Sequence, residues 1–257
     1  MMFGGVILLM VAMHNDRIAG RPVLLPVPAI SGMHELFPGV RADSSTKTVE
    51  FDAQITPMLV KDDKAPLFFL EVLCCAPNTR EHETFLITTA RASHIHAAML
   101  AVGLNPGAPG GWTLQDRTLT PVQPSGDRLS VRAAFTDKDG REVEQNPLDW
   151  IVNARDRSAF QDTERKLAAA KSEPAPDWMF TGSKIVKRKN AVGDEREVYD
   201  ADGSGTIIGL TTFGSEVIGW SRLISPDASA QEPEWIADFS KTPPAETKVR
   251  VRIRKAE

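Results

Sequence analysis

The last stretch of the chain, Lys248-Val249-Arg250-Val251-Arg252-Ile253-Arg254-Lys255, alternates basic and aliphatic residues without a break. A period of two fits an extended strand, with the valines and Ile253 turned to a core and the basic residues turned to solvent. Val49-Glu50-Phe51-Asp52-Ala53-Gln54-Ile55 repeats the pattern. Between the two lie short apolar segments punctuated by proline and glycine, of which the whole chain has 18 each, the signature of many strands and few helices. Residues 67–76 are nearly continuous in apolar side chains, interrupted by Glu71, as expected of a strand covered on both faces. Residues 84–89 predict the next strand, which leaves Arg80-Glu81-His82-Glu83 in or beside a hairpin joining the two. Asp137-Lys138-Asp139-Gly140 carries the Asp-Gly signal of another hairpin.

Two helices are expected. Ser93 has the residue type of an N-cap, Ile95, Ala98, Met99 and Val102 recur at helical spacing, and Gly103 with Pro106 supplies the stop. Residues 158–171 are rich in alanine, lysine and glutamate, with Phe160 and Leu167 as a thin apolar stripe, and predict a peripheral helix. The fold class is therefore α+β: a mainly antiparallel β-sheet with one short packed helix and one peripheral helix. One domain over residues 48–257 is expected, preceded by residues 1–47 as an export signal or hydrophobic terminus plus a Pro-rich linker. The apolar run at residues 3–13 is too short for a bilayer, which takes about 20 residues, and matches the core of a signal peptide. Val27-Pro28-Ala29 offers a small residue for cleavage. A periplasmic or extracellular location with no transmembrane span follows.

Composition excludes several functions. A formal charge of −4 does not suit a chain that coats nucleic acid, because phosphate binding needs a basic face. The basic side of residues 248–255 is expected to be a solvated strand exterior, where such charges also deter sheet-to-sheet association. The two cysteines are adjacent, Cys74 and Cys75, so they cannot ligate an iron–sulfur cluster, and buried thiols are the expectation. No P-loop, nucleophile elbow, zincin helix or dinucleotide fingerprint is present.

The chemistry that remains gathers at His82, His94 and His96 with Glu81 and Glu83, residue types that suit zinc or a similar divalent ion. The expected metal ligands are His82, His94, His96 and Glu83. Two alternatives stay open: an anion or small polar ligand held by His82, Ser93 and the helix amides, and a hydrogen-bonded turn with surface or packing histidines. Asp200-Ala201-Asp202-Gly203-Ser204-Gly205-Thr206-Ile207 copies the start of a calcium loop. It lacks the twelfth-position glutamate, which here is Thr211, so a β-turn is expected, with Asp200 and Asp202 as the ligands of the calcium alternative.

The segments Leu70-Glu71-Val72-Leu73-Cys74, Thr79-Arg80-Glu81-His82-Glu83-Thr84 and Ala92-Ser93-His94-Ile95-His96 through Asn105-Pro106-Gly107 together resemble the YdjY-like domain family. Trp178-Met179-Phe180-Thr181-Gly182-Ser183 and Tyr199-Asp200-Ala201-Asp202-Gly203 extend the likeness. The resemblance implies a bacterial, often exported domain and bears on fold and compartment rather than on a reaction. Some members carry a ferredoxin-like label, which the cysteine pair here does not support. The expected function is an exported ligand- or metal-binding module whose site lies around Glu81-His82-Glu83 and the start of the Ser93 helix. The alternatives are a metal- or His/Glu-dependent enzyme, with His82 or Glu83 as general base, and a structural envelope protein without a small-molecule site. The partner is an unknown small ligand or an envelope component.

Overall fold

The structure, a computed structural model, describes residues 32–61, 66–116, 118–189 and 193–256. The apolar run at residues 3–13 and Val27-Pro28-Ala29 lie outside them. The first strands are β1 (His34–Phe37), β2 (Val40–Asp43), β3 (Thr48–Ile55), β4 (Val72–Cys75) and β5 (Thr84–Ile87), followed by helix α1 (Ala92–Ala101). Next come β6 (Gly111–Gln115), β7 (Thr118–Val122), β8 (Arg128–Thr136), β9 (Glu142–Gln145), β10 (Ile151–Asn153) and helix α2 (Phe160–Ala170). The chain continues through β11 (Trp178–Met179), β12 (Ile185–Lys189), β13 (Glu195–Tyr199) and the short helix α3 (Asp200–Ser204). It finishes with β14 (Thr206–Gly209), β15 (Ile218–Trp220), β16 (Trp235–Ala237) and β17 (Lys248–Lys255). β1 and β2 fall in a stretch whose polar, turn-rich sequence predicts a linker.

The strand order β3-β17-β8-β11-β15-β14-β4-β5 returns to β3, so eight strands close into a barrel. β1 and β2 extend it from β3, and β9 from β8. This corrects the expected α+β fold with a mainly antiparallel sheet: the protein is mostly β, its central sheet is closed, and helices are few. Closure is made where Gln54 pairs with Ile87 and Ile55 with Leu86, a contact that joins the two ends of the eight-strand order. Two strand pairs are parallel, β4 with β5 and β14 with β15. The segment 76–83 is thus a crossover and not the expected hairpin.

The terminal strand behaves as its alternation dictates. Val249, Val251 and Ile253 are buried with Val49, Phe51, Val131 and Ala133, which stand opposite them in register. Outside, Arg252 bonds Glu50 at 2.8 Å and also pairs with Glu144. Arg250 and Arg41 lie within 3.6 Å and 3.3 Å of the same Glu50 carboxylate. The basic face is therefore neutralised across neighbouring strands by acids of this chain.

α1 buries Ile95, Ala98, Met99 and, just past its end, Val102, as the spacing predicts, and packs on β2 and β3. α2 departs from expectation. Its buried stripe is Phe160, Glu164 and Ala168, one helical turn apart each, whereas Leu167 is exposed. Glu164 is wholly buried because Arg222 bonds both its oxygens, at 2.6 and 2.5 Å, and the Trp220 indole donates to it at 2.8 Å.

Candidate functional site

Parallel register sets the first part of the site. Val72 of β4 stands beside Thr84 of β5, so the residues just before them, Glu71 and Glu83, are neighbours. The Glu71 amide donates to the Glu83 carbonyl at 3.0 Å, and their carboxyl groups are hydrogen-bonding neighbours. Burial, and then the adjacent Glu83 carboxylate, push the Glu71 carboxyl up to about 7, with Arg80 opposing. A half-buried carboxyl group beside a carboxylate keeps its proton up to near neutrality. Arg80 bonds Glu83 at 2.5 Å and lies over the Phe213 ring, 3.9 Å from its centroid.

The residues singled out from sequence go to separate places. His82 is exposed, with its ring nitrogen 3.9 Å from Glu83. Glu81 turns back on its own crossover and accepts the amides of Asn78 and Thr79. Although burial opposes it, those bonds hold its carboxyl below the usual range. His94 stacks on Phe37, with centroids 4.5 Å apart. His96 meets the Tyr199 hydroxyl at 2.8 Å and packs edge-on against Phe180. Burial lowers its basicity. Glu81 to Glu83 precede β5 and α1 follows it, so a strand separates the two halves of the expected site. Among the described residues no group of three or more His, Cys, Asp or Glu is placed to hold a metal ion.

The helix amides already have an anion. The Asp202 carboxylate accepts Ser93 N–H at 2.9 Å and Ser93 O–H at 2.7 Å, and pairs with Arg91. Burial raises its pKa, but these bonds outweigh that and hold it below the ordinary carboxylate range. Ser93 is therefore the recipient of a cap and not the cap itself, and Arg91 occupies the N-cap position. Asp200 is bound to Arg188 at 2.6 Å. Both acids of the calcium-like stretch thus stabilise the fold, and the stretch forms α3 where a β-turn is expected. Cys74 and Cys75 are buried and form no disulfide, and burial raises both thiol pKa values.

Phe213, the platform under Arg80, belongs to the loop between β14 and β15. Glu216 in that loop is buried and accepts the Ser215 amide at 2.9 Å, so backbone dipoles replace a cation. Burial raises its pKa, against the amides of the same loop. Ser183, in the left-handed region at φ 54°, is clamped to this loop. Its hydroxyl donates to Ser215 at 2.6 Å and its amide to Glu216 at 3.0 Å. Lys184 follows directly. Beyond the loop opens a cleft of about 760 Å³ whose lining includes Gly111, Trp112, Lys184, Phe213, Gly214 and Asp227.

Two other depressions, about 680 Å³ beside Phe239 and about 540 Å³ beside Pro176 and Trp112, are lined in part by charges that are paired. Asp238 in the first contacts Arg157 and Lys241, and Arg222 in the second is bound to Glu164. In the cleft, Lys184 lies 3.8 Å from Asp200, which bonds Arg188 more closely. Sequence reading missed Lys184, Trp112 and Phe213, because strand β6 and two loops from distant parts of the chain bring them together. It noted Glu71 only as an interruption, and that interruption was the available signal.

These features define a closed β-barrel domain with a carboxyl pair at one strand junction and an open, aromatic-walled cleft behind it. The YdjY domain family matches residues 40–254, and the chain belongs to that family. No curated protein and no solved structure matches it. Among the described residues no helix is long and apolar enough to cross a membrane.

Proposed function

We propose that this YdjY domain is an exported small-ligand-binding module and that its ligand occupies the cleft between Trp112 and the Phe213 loop. The observation that carries the reading is the convergence of an aromatic side chain on β6, a cation at Lys184 and the backbone of Gly214 on one open space. Binding sites typically join apolar walls to a few placed polar groups in this way. The export half of the reading is supported by the apolar run at residues 3–13, which has the length of a signal core. A thermal-shift screen of metabolites against the purified domain tests the binding half. At least one compound should raise the melting temperature of the native protein and leave Trp112→Ala unmoved, and shifts equal in both would overturn the assignment.

A second reading, an enzyme, is favoured by Glu71, whose carboxyl titrates near 7 and so suits proton transfer at neutral pH. Under it, Glu71→Gln would abolish turnover of a ligand bound beside Glu71 and Thr211 and leave its binding intact.

A further inference from the structure

β6 and β7 form a two-stranded sheet of their own, hydrogen-bonded to no other strand. Such a hairpin is marginal in water unless a further strand or a packed surface supports it. Residues 116 and 117 alone separate the two strands, with Asp116 in the left-handed region at φ 48°, as a two-residue turn requires. Gln115 and Thr118 are therefore a hydrogen-bonded pair, and the pattern repeats at Thr113 with Thr120 and at Gly111 with Val122. Trp112, Leu114, Leu119 and Pro121, in the pairs between, turn their backbone polar groups outward.

The two outer edges differ. Pro121 has no N–H, so the β7 edge is broken in the way that natural sheets block further pairing. The β6 edge carries the amide and carbonyl of both Trp112 and Leu114, with no proline and no charged residue in the strand. A Cβ built on Gly111 meets nothing within 4 Å, so the start of this edge is uncrowded. Leu114 and Leu119 stand opposite each other on one face and are 73% and 61% exposed. A bare edge beside exposed apolar side chains is a template for another strand.

We propose that β6 pairs antiparallel with β6 of a second copy of this chain, about a two-fold axis at Thr113. The strand is complementary to itself in that register. Trp112 faces Leu114 of the second copy, Leu114 faces its Trp112, and the outward backbone groups of each bond the other. Because residues paired across strands share a face, the exposed leucines of both hairpins join Trp112 and Pro121 in one apolar surface. Charge fits the same register. Asp116 of the second copy falls opposite Gly110, and the Gly110 carbonyl and the Lys184 ammonium lie 3.5 and 3.9 Å from a single point, the Cβ built on Gly214. Lys184 is thus within reach of that carboxylate, while its neighbour Asp200 is held by Arg188. An exposed ion pair adds little affinity, so its part is to fix the register, and symmetry makes the contact twice. The pairing goes beyond the ligand-binding reading and does not depend on it.

Sedimentation velocity on the purified protein, from about 5 μM to about 500 μM so as to cover small interfaces, reads the association directly. The native protein should pass from one-chain to two-chain mass over this range. Leu114→Pro removes an N–H that points away from β7, so the hairpin keeps its own ladder. That variant should stay at one-chain mass throughout, with an unchanged circular dichroism spectrum. Asp116→Lys and Lys184→Glu should each weaken association by about tenfold, through like charges at both symmetric contacts. An equimolar mixture of the two should recover it, because each variant supplies the charge that the other has lost. One-chain mass for the native protein at every concentration, a dimer that Leu114→Pro leaves intact, or a mixture no tighter than its components would overturn the proposal.

Discussion

The amide of Glu71 donates to the carbonyl of Glu83 at 3.0 Å, so one hydrogen bond between parallel strands fixes two carboxyl groups side by side. Because burial and Glu83 raise the Glu71 pKa from an ordinary 4.5 to about 7, the folded protein holds a proton that the unfolded chain releases. The sign follows by linkage: this contribution is fully present below pH 4.5 and is lost as pH rises through 7. Glu71→Gln should flatten that dependence. With allowance for partial solvent screening, it should make the domain more stable than native at pH 8 by roughly 1 kcal/mol. Urea unfolding at pH 5 and pH 8 measures both effects, and parallel pH profiles for the two proteins would contradict the raised Glu71 pKa.

Asp202 caps α1 from a distant part of the chain. Asp202→Ala removes the acceptor from Ser93 and should cost about 1–2 kcal/mol at pH 7. Since the Asp202 pKa is lowered in the folded state, the native protein should lose this stability as acid titrates the group below its ordinary 3.8, and the variant should not. Hydrogen exchange at the Ser93 and His94 amides gives the local readout, and unchanged protection there would exclude the cap.

Glu164→Ala leaves Arg222 without its carboxylate and opens a space under α2. Breaking a pair this buried should cost about 3 kcal/mol or more. The double variant Glu164→Met with Arg222→Met should recover all but about 1–2 kcal/mol, the remainder reflecting the unpartnered Trp220 indole. Chemical unfolding of the single and double variants decides this, and additive losses would show that the two residues act independently.

Period carried much of the fold, and pairing did not. The alternation of β17, the Asp139-Gly140 turn and the buried face of α1 were legible because each is decided within a few residues. Barrel closure was not, since nothing local to Gln54 says that it pairs with Ile87. The crossover at residues 76–83 is as short as a hairpin loop, and parallel neighbours usually need a longer connection, so its direction was misread. Glu164 looked like a solvent residue because its cation lies 58 positions away. The candidate site divided along the same line: Glu83 and His82 stood out by type, while Glu71 needed the parallel register and Lys184 needed β6 and two loops to meet.

The cleft is most directly tested at Trp112. Of the five tryptophans, Trp150, Trp178, Trp220 and Trp235 are buried, and Trp112 alone is partly exposed. Their indole N–H signals in nitrogen-15 spectra therefore distinguish the surface at Trp112, which lines the cleft and the depression beside Pro176, from the core. Titration with a compound that stabilises the domain should move the Trp112 signal progressively to saturation and leave the four core signals in place. A stabilising compound that leaves Trp112 unmoved would contradict the placement of the ligand.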